Sequence, residues 1–352
     1  MENLEVDFWN GKTVFITGHT GFKGSWLCKI LYDAGAKVYG FSLPLSEQNK
    51  LFASIMESNV EKSYFGDIND EDYLQAALLE SQPEIIFHLA AQSLVMDSYK
   101  DPIKTFETNI MGTARLILYS SKLESLKSLV NVTSDKCYAN NNLATPFLES
   151  DPMGGSDPYS ASKGCAELIS SSLQASFVSK TSIGLANVRA GNVIGGGDYS
   201  NNRLLPDIIR ALNRGEELII RSPGAIRPWQ HVLEPLFGYL EIAEGLYRSS
   251  NDFIGGWNFG PELSDCLSVK SVLDIVSSCE ANFSYSVQDQ TPNLESQILK
   301  LNIQKSKNHL KWSPKWSAKH AIEKTLEFYR RELAGEDAIT IVSNQIQEYK
   351  EG

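Results

Sequence analysis

Short apolar runs alternate with helix-length segments through the N-terminal half of the chain, and the first run leads directly into a glycine-rich turn. The five runs assigned to β-strands are Val14–Ile16, Lys37–Phe41, Ile85–His88, Leu129–Val132 and Ile183–Val188. Strands separated by helices form βαβ units, in which a parallel sheet is covered by helices on both faces. The pattern therefore predicts an α/β fold with a doubly wound parallel sheet of the Rossmann type.

The glycine-rich turn contains Gly18, Gly21 and Gly24, and it is followed by a predicted helix. Such a turn brings backbone N–H groups and the positive helix end close to a pyrophosphate, and a Cβ atom would block this approach. The glycine spacing is one residue wider than the common dinucleotide fingerprint. The residues predicted to bind the cofactor, in this loop and after the later strands, are Gly18, His19, Thr20, Gly21, Phe22, Lys23, Gly24, Asp67, Ile68, Leu89, Ala90, Ala91 and Gln92. For His19, an ordinary structural hydrogen bond is an equally open interpretation.

The second predicted strand ends without the carboxylate that usually binds the adenosine ribose of NAD. Ser42 stands there and offers one neutral hydrogen bond in place of a charged one. We therefore expect NAD to bind weakly. Lys23 and Lys37 leave NADP open as an alternative.

Beyond about residue 190 the strand–helix alternation weakens and Gly, Pro and Arg become frequent. We assign residues 1–190 and roughly 231–256 to a dinucleotide-binding domain. A smaller, interleaved C-terminal substrate domain is expected to comprise residues 191–230 and 257–335. Residues 336–352 are a polar tail of unknown role, which could form a helix, an oligomer contact or a loose end.

The chain is acidic, with 43 Asp and Glu against 32 Lys and Arg. This balance disfavours nucleic acid and anionic membranes as partners, and it means that an anionic ligand must meet a local group of cations. The five cysteines are scattered and lack paired metal-site spacing, so we expect reduced thiols, no metal and a cytoplasmic location. No apolar stretch approaches the roughly 18 residues of a membrane helix. The first residues also lack the layout of a signal peptide.

Tyr159 and Lys163 are four residues apart in a segment that is predicted to be helical. Their side chains therefore share a face, where the ammonium favours the phenolate and lowers the tyrosine pKa from about 10. A phenolate can remove a proton from a sugar hydroxyl while hydride leaves the same carbon. An ordinary surface pair is the structural alternative.

Asp135 and Lys136 place an acid beside a possible base shortly before Tyr159. The pair adds elimination to the redox chemistry of Tyr159 and Lys163. An unperturbed lysine is neutral in only roughly one molecule in 2,500 at pH 7, and here Lys163 would lower its pKa while Asp135 would raise it. Lys136 is therefore either a neutral base, which we favour, or a cation that stabilises an enolate. A structural salt bridge to Asp135 is the third possibility.

The glycine loop, the Tyr159–Lys163 spacing and the segment Thr108–Thr113 resemble the extended short-chain dehydrogenase/reductases, the NAD-dependent epimerase/dehydratase family, over about residues 8–330. Within that family the chain is most similar to the CDP-glucose 4,6-dehydratase branch. The segments that carry this likeness are Phe8–Lys12, Gly18–Gly24, Thr133–Tyr138, Asp151–Gly155, Arg189–Asp198 and Arg227–Val232.

The resemblance implies a lyase that converts CDP-D-glucose to CDP-4-dehydro-6-deoxy-D-glucose with NAD as cofactor. C4 is oxidised transiently, water is lost across C5 and C6, and hydride returns to C6. Tyr159 would be the base at the C4 hydroxyl, Lys163 would tune it and bind a ribose hydroxyl, and Ser134 would hydrogen-bond the C4 oxygen. Asp135 would protonate the departing C6 hydroxyl. Lys136 replaces the glutamate that most related dehydratases use at C5.

The same resemblance implies further binding residues and partners. Thr108 would join the cofactor site, and Arg227 is the stronger candidate for the substrate diphosphate because a guanidinium matches phosphate oxygens. The candidate substrate-binding residues are Ser93, Leu94, Asn192, Arg203, Arg227 and Glu295. A homodimer or a dimer of dimers is expected to pair the helices around 105–122 and 159–177. The reaction would serve deoxysugar biosynthesis for surface polysaccharide, such as the O-antigen of lipopolysaccharide.

Two other functions remain open at this point. A 4-epimerase or a dehydratase of another nucleotide-sugar would keep the same fold and cofactor. An epimerase only presents its ketone by the opposite face, so the pair of Asp135 and Lys136 would serve no purpose in it. A non-catalytic dinucleotide-binding protein could lose Tyr159 or Lys163 without penalty, and this chain has both.

Overall fold

A computed structural model describes residues 6–142, 144–288 and 296–352. The β-strands are β1 (Thr13–Thr17), β2 (Lys37–Ser42), β3 (Lys62–Phe65), β4 (Ile85–His88), β5 (Ser128–Val132), β6 (Gly184–Ala190), β7 (Asn192–Ile194), β8 (Leu218–Ile220), β9 (Ile226–His231), β10 (Gly255–Phe259), β11 (Cys266–Ser268) and β12 (Tyr285–Val287).

The helices lie between and after these strands. They are α1 (Val6–Trp9), α2 (Phe22–Asp33), α3 (Lys50–Asn59), α4 (Glu71–Ser81), α5 (Val95–Lys100), α6 (Pro102–Phe106), α7 (Gly112–Ser120), α8 (Pro158–Ser176), α9 (Leu204–Arg214), α10 (Leu233–Arg248), α11 (Ser250–Phe253), α12 (Val269–Cys279), α13 (Gln304–Leu310), α14 (Ala318–Leu333) and α15 (Ala338–Glu351). Within the described ranges, no helix combines the length and the apolar character needed to cross a bilayer.

Seven strands form the central sheet in the order β10-β6-β5-β4-β1-β2-β3, and neighbouring strands in it are parallel. The five strands predicted from the sequence correspond to β1, β2, β4, β5 and β6. The direction in which successive strands are added reverses between β1 and β4. In open α/β sheets ligands bind at such a switch point, outside the carboxyl ends of the strands. The predicted Rossmann-type fold is confirmed.

Helices cover both faces of the sheet, so its central strands are apolar on both sides. Every residue of β4, β5 and β6 is buried. On β1, Val14 and Ile16 pack into one apolar cluster and Phe15 into the other. This alternation follows from the two-residue period of a strand, and it explains why the sequence shows continuous apolar runs there.

The smaller domain contains a sheet of β11, β9 and β7 and a parallel pair of β12 and β8. The chain crosses back between the domains, since α10 packs on the central sheet and β10 joins its edge. The boundary expected at residue 256 falls inside β10, so the larger domain extends to Phe259. No strand was predicted here, because a strand of only five residues carries a weak periodic pattern.

The C-terminal tail forms α15, and its Tyr349 is completely buried. Its hydroxyl donates a hydrogen bond of 2.6 Å to Glu234 Oε2 on α10. The same carboxylate accepts backbone N–H groups of Lys315 and Trp316, the latter at 2.7 Å. Burial raises the pKa of Glu234 to about 7. Of the helix, oligomer contact or loose end that the sequence left open for this tail, the structure shows a helix, and it packs against the larger domain.

Replacing Tyr349 with Phe removes one hydrogen bond to the buried Glu234 carboxylate without removing the ring. The free energy of unfolding should fall by about 1–2 kcal/mol, because a buried acceptor loses a donor. Urea denaturation followed by circular dichroism measures it. The control is Tyr32→Phe on α2, whose ring is largely exposed, and it should change stability by less than about 0.5 kcal/mol. Equal effects of the two substitutions would show that Glu234 does not hold α15 in place.

Candidate active site

A cavity of about 1120 Å³ lies at the carboxyl ends of the central strands, where the strand order reverses. It is lined by the segments that follow β1, β2, β4, β5 and β6. Seven Lys and Arg side chains line it against four Asp, in a chain of net charge −11. The expected local group of cations is therefore present, and the cavity suits an anionic ligand.

The glycine turn forms one wall of this cavity. Gly18 has φ +74°, and a Cβ atom there would lie 2.7 Å from the backbone N of Ala90. A Cβ atom on Gly24 would lie 2.3 Å from the carbonyl oxygen of Gly18. Glycine is thus required at both positions for sheet and helix to pack this closely. The turn and the N-terminus of α2 present backbone N–H groups to the cavity, which is the arrangement that a dinucleotide pyrophosphate needs.

His19 is the one member of the glycine turn that does not line the cavity. Its ring is fully buried, hydrogen-bonds Ser63 at 3.0 Å and packs edge-on against Phe52. Burial lowers the pKa of His19 to about 4, so the ring is neutral at pH 7. The expectation that its side chain approaches the cofactor phosphates is wrong for this structure, because the turn directs the ring into the core; the structural alternative holds.

Ser42 lines the cavity at the end of β2, together with Asp67 and Ile68 after β3. The Ser42 hydroxyl shares a hydrogen bond of 2.7 Å with Thr20 Oγ1. Asp67 Oδ1 accepts a hydrogen bond of 2.9 Å from the backbone N of Asn69. The end of β2 thus offers a hydroxyl pair where related nucleotide sites have a carboxylate.

The loop after β4 is fixed by amide side chains. Gln92 Oε1 accepts from the backbone N of Leu94 at 2.6 Å, and its Nε2 donates to Thr105 at 3.0 Å. Asn109 is buried, accepts from the backbone N of Gln92 at 2.8 Å and donates to Ser162 on α8 at 2.8 Å. This network connects the loop to the helix that carries Tyr159. The other predicted cofactor residues of this wall, Leu89, Ala90, Ala91 and Thr108, line the cavity as well.

The five predicted catalytic residues, Ser134, Asp135, Lys136, Tyr159 and Lys163, line the cavity together. The first three form a tight turn directly after β5, in which Ser134 Oγ donates to Asp135 Oδ1 at 3.0 Å and accepts from the backbone N of Lys136 at 3.2 Å. Tyr159 and Lys163 lie in the first two turns of α8, and Lys163 Nζ donates to the Val132 carbonyl at 3.3 Å.

A buried ion pair fixes α8 against β5 and β6. Arg189 Nε and Nη2 each donate to a different oxygen of Glu167 at 2.8 Å. Thr133, the residue before Ser134, donates to Glu167 Oε1 at 2.5 Å. Glu167 follows Lys163 by one helical turn, so this ion pair lies directly beneath the catalytic face of α8. Removing one partner of such a pair costs about 3–5 kcal/mol, because the other charge stays buried.

The pKa values of Tyr159 and Lys163 are governed by burial. Burial raises the pKa of Tyr159 to about 12, while a hydrogen bond with Ser134 acts in the opposite direction. Burial lowers the pKa of Lys163 to about 8, against the attraction of Glu167. The lowering of the tyrosine pKa expected from the Tyr159–Lys163 spacing is therefore not found in the protein alone. Loss of water around the phenol is the largest influence, and the opposing influences come from Ser134 and Arg203 rather than from Lys163.

Asp135 is buried, and burial raises the pKa of its carboxyl. The positive charges of Lys136, Arg227 and Lys23 act in the opposite direction. Within the described ranges, Asp135 Oδ2 has no hydrogen-bond partner. A carboxyl with one unbonded oxygen and a raised pKa is suited to carry and donate a proton.

The candidate substrate residues that the structure describes line the same cavity as the glycine turn. Arg203 donates to Asp198 Oδ2 at 2.9 Å and to Ser93 Oγ at 3.2 Å. Arg227 is buried and donates to the Ile226 carbonyl at 3.0 Å. Leu94 and Asn192 also line the cavity. Glu295 lies outside the described residues.

Several residues that line the cavity were not predicted from the sequence. Ile219–Ser222, Ala225 and Gln297 line the cavity from the smaller domain. Asn49 lines it too and donates to the Thr20 carbonyl at 2.8 Å. The sequence did contain one indication of these residues. The apolar run of β8 is followed by Arg221, Ser222 and Pro223, and loops that follow strands are common binding positions.

Comparisons with known proteins agree with this geometry. The family described as GDP-mannose 4,6 dehydratase matches residues 15–325. The CDP-glucose 4,6-dehydratase of Salmonella typhimurium is 42% identical over 352 residues, which cover 98% of this chain and 98% of that protein. These matches confirm the resemblance to nucleotide-sugar dehydratases that the sequence motifs indicated.

Solved structures share the fold at lower identity. A UDP-glucose 4-epimerase from Thermotoga maritima, solved with UDP-glucose, has a TM-score of 0.79 at 22% identity and covers 91% of this chain and 99% of its own. A UDP-glucuronic acid 4-epimerase from Bacillus cereus, solved with UDP-glucuronic acid and NAD, has a TM-score of 0.79 at 19% identity. The match covers 90% of this chain and 99% of the epimerase chain. The family match spans most of the chain and the Salmonella protein is similar over nearly its whole length, so this chain belongs to the GDP-mannose 4,6 dehydratase family.

Proposed function

We propose that this protein is an NAD-dependent lyase that dehydrates CDP-D-glucose to CDP-4-dehydro-6-deoxy-D-glucose. The observation that carries the proposal is the turn of Ser134, Asp135 and Lys136 beside Tyr159 in one cavity with the glycine turn. An acid and a base candidate next to an oxidation site are what elimination requires. The 42% identity to the Salmonella CDP-glucose 4,6-dehydratase supports the choice of reaction and substrate.

The cofactor would occupy the wall built by the glycine turn. Gly18 and Gly24 allow the turn to pack closely between sheet and helix beside the predicted pyrophosphate position, and Ser42 and Asp67 lie where an adenosine ribose would reach. NAD, when bound, accepts hydride from C4 of the hexose and donates it to C6. The Bacillus cereus epimerase, which has the same fold, was solved with NAD. With Ser42 in place of a carboxylate, weak NAD binding remains our prediction.

Tyr159 would remove the proton of the C4 hydroxyl during oxidation. Its hydrogen bond with Ser134 favours the phenolate, and Lys163 lies one turn further along α8. The positive charge of a bound cofactor ring would also favour the phenolate, and it would oppose the rise in the Tyr159 pKa that burial causes. Ser134 would hydrogen-bond the C4 oxygen.

Asp135 and Lys136 would carry out the elimination once C4 is a ketone. The ketone makes the C5 proton removable, and Lys136 would accept that proton. Asp135 would protonate the departing C6 hydroxyl, a role that its burial and raised pKa favour. An epimerase needs neither group, which is why the pair favours dehydration. Alternatively, Lys136 stays a cation and stabilises the enolate. The deuterium-uptake test below distinguishes these two roles.

The substrate diphosphate would bind Arg227 and Asn192, with Arg203 and Ser93 at the mouth of the hexose site. Arg227 is buried and faces the same cavity as Asp135. The guanidinium geometry suits phosphate oxygens. The identity of the base as cytosine depends on the Salmonella relative alone.

We also propose a homodimer, or a dimer of dimers, formed by α6, α7 and α8. The large apolar side chains Ile103, Met111, Leu168 and Phe177 are exposed on these helices and the turns next to them. Exposed apolar surface of this kind is typical of a protein–protein contact. A cytoplasmic location and a role in deoxysugar synthesis for surface polysaccharide remain predictions.

The substrate is tested by incubating the protein and NAD with the CDP-, dTDP-, UDP- and GDP-glucose esters and following the 4-keto product in alkali. CDP-glucose should give a kcat/KM at least about 10-fold above the others, equivalent to 1.4 kcal/mol of discrimination. Tyr159→Phe is the control and should abolish product with all four. Preference for another nucleotide would reassign the substrate, and formation of a 4-epimer alone would contradict dehydration.

Lys136 is tested by deuterium uptake at C5 of the product in heavy water. Lys136→Ala should lower uptake at least about 100-fold and leave NAD affinity unchanged, because a base contributes about 10²–10⁴. Lys136→Arg keeps the positive charge but cannot accept a proton, and it should be equally inactive. If Lys136→Arg keeps its activity while Lys136→Ala loses it, Lys136 acts as a cation rather than as a base. Unchanged deuterium uptake in Lys136→Ala would exclude Lys136 from proton transfer. The control is Lys180→Ala, which changes an exposed lysine.

A further inference from the structure

Lys23 lines the catalytic side of the cavity although it belongs to the glycine turn. We propose that Lys23 is a positioning residue for Asp135, whose ammonium group stabilises the carboxylate that Asp135 becomes when it protonates the departing C6 hydroxyl. This inference rests on the proposed function and adds a residue to it. The sequence analysis had assigned Lys23 to the cofactor alone.

The first support is the location of the amine. Lys23 extends from the first turn of α2, and its Nζ lies 5.8 Å from the ring centroid of Tyr239 on α10. Tyr239 is fully buried, and the negative charges of Asp135 and Tyr159 act on it. Lys23 therefore lies near a side chain on which the charge of Asp135 also acts, and Lys23 and Asp135 line the same cavity.

The second support is the set of charges around the amine. Lys23 is attracted by Asp135 and repelled by Arg203 and Lys163, and burial is the main reason that its pKa falls to about 7. Asp135 in turn is stabilised as a carboxylate by Lys23. Each group therefore favours the charged form of the other, while burial is the larger influence on both.

The third support is two buried oxygen atoms. Asp135 Oδ1 accepts a hydrogen bond from Ser134, but Asp135 Oδ2 has no partner among the residues that the structure describes. The hydroxyl of Tyr239 is likewise buried without a partner in that part of the chain. Buried polar atoms are normally satisfied, and exceptions often mark a functional group. A carboxylate formed at Asp135 would be stabilised by the positive charge of Lys23.

The proton balance of the elimination shows when this charge is needed. The C5–H bond breaks and its proton goes to Lys136, while its electron pair forms the C5–C6 double bond. The C6–O bond breaks, and the oxygen leaves as water with the proton of Asp135. Asp135 is then a buried anion, which is unfavourable without a counter-charge.

Lys136 and Arg227 also attract Asp135. In the proposed reaction Lys136 becomes a cation only when it receives the C5 proton, and Arg227 binds the diphosphate. Lys23 accepts no proton and binds no substrate phosphate in this scheme, so it is an additional counter-charge for Asp135 that is present before the C5 proton moves.

The test compares two leaving groups in single turnovers. Fluoride is a much weaker base than hydroxide and leaves C6 with little help from an acid. Lys23→Met should slow water loss from CDP-glucose about 10- to 100-fold, part of what a general acid contributes. It should slow fluoride loss from CDP-6-deoxy-6-fluoroglucose less than about threefold. Lys23→Arg keeps the charge and should recover part of the loss of water elimination.

Lys163→Met is the matched control. Lys163 acts in the oxidation step before elimination, so this variant should slow water loss and fluoride loss by the same factor. NAD affinity, measured by calorimetry for each variant, separates a cofactor role from the proposed one. Equal slowing of both substrates by Lys23→Met, or full recovery at saturating NAD, would overturn the inference. If Lys23→Met does not fold by circular dichroism, Lys23→Gln takes its place with the same expectation. A wild-type protein that forms no 4-keto product would instead contradict the proposed function.

Discussion

The buried ion pair between Glu167 and Arg189 fixes the two segments that carry the proposed catalytic side chains. Glu167 shares a face of α8 with Tyr159 and Lys163, and it accepts a hydrogen bond from Thr133 at the start of the catalytic turn. Helix, turn and β6 therefore meet at one carboxylate. The separation between the phenol of Tyr159 and the carboxyl of Asp135 follows from this contact, and a shift of either segment would disturb the geometry on which the reaction depends.

Burial then sets the protonation of the groups that these segments present. It raises the pKa of Asp135 and Tyr159 and lowers that of Lys163 and Lys23. The carboxyl is thus better able to hold a proton, and the amines are easier to neutralise, than in water. The pKa values of Lys163 and Lys23 fall to about 8 and about 7, close to neutral pH. The cations concentrated in the cavity of an acidic chain serve both this chemistry and the binding of an anionic substrate.

Sequence predicted the central sheet, the glycine turn and the catalytic pairs, because each is a local pattern: an apolar run, a turn or a four-residue helical spacing. It failed where the outcome depends on residues distant along the chain. The direction of the His19 ring, the raised pKa of Tyr159 and the inclusion of β10 in the sheet all arise from packing. The contact between Lys23 and Tyr239 joins the glycine turn to α10, and neither residue alone indicates it.

The central claim is that hydride removed from C4 returns to C6 of the same sugar. It is tested most directly with a mixture of CDP-[4-²H]glucose and unlabelled CDP-[¹³C₆]glucose, followed by mass spectrometry and NMR of the product. The account predicts deuterium in the C6 methyl group of the ¹²C product only. Deuterium that is retained at C4, lost to water or transferred to the ¹³C product would contradict it.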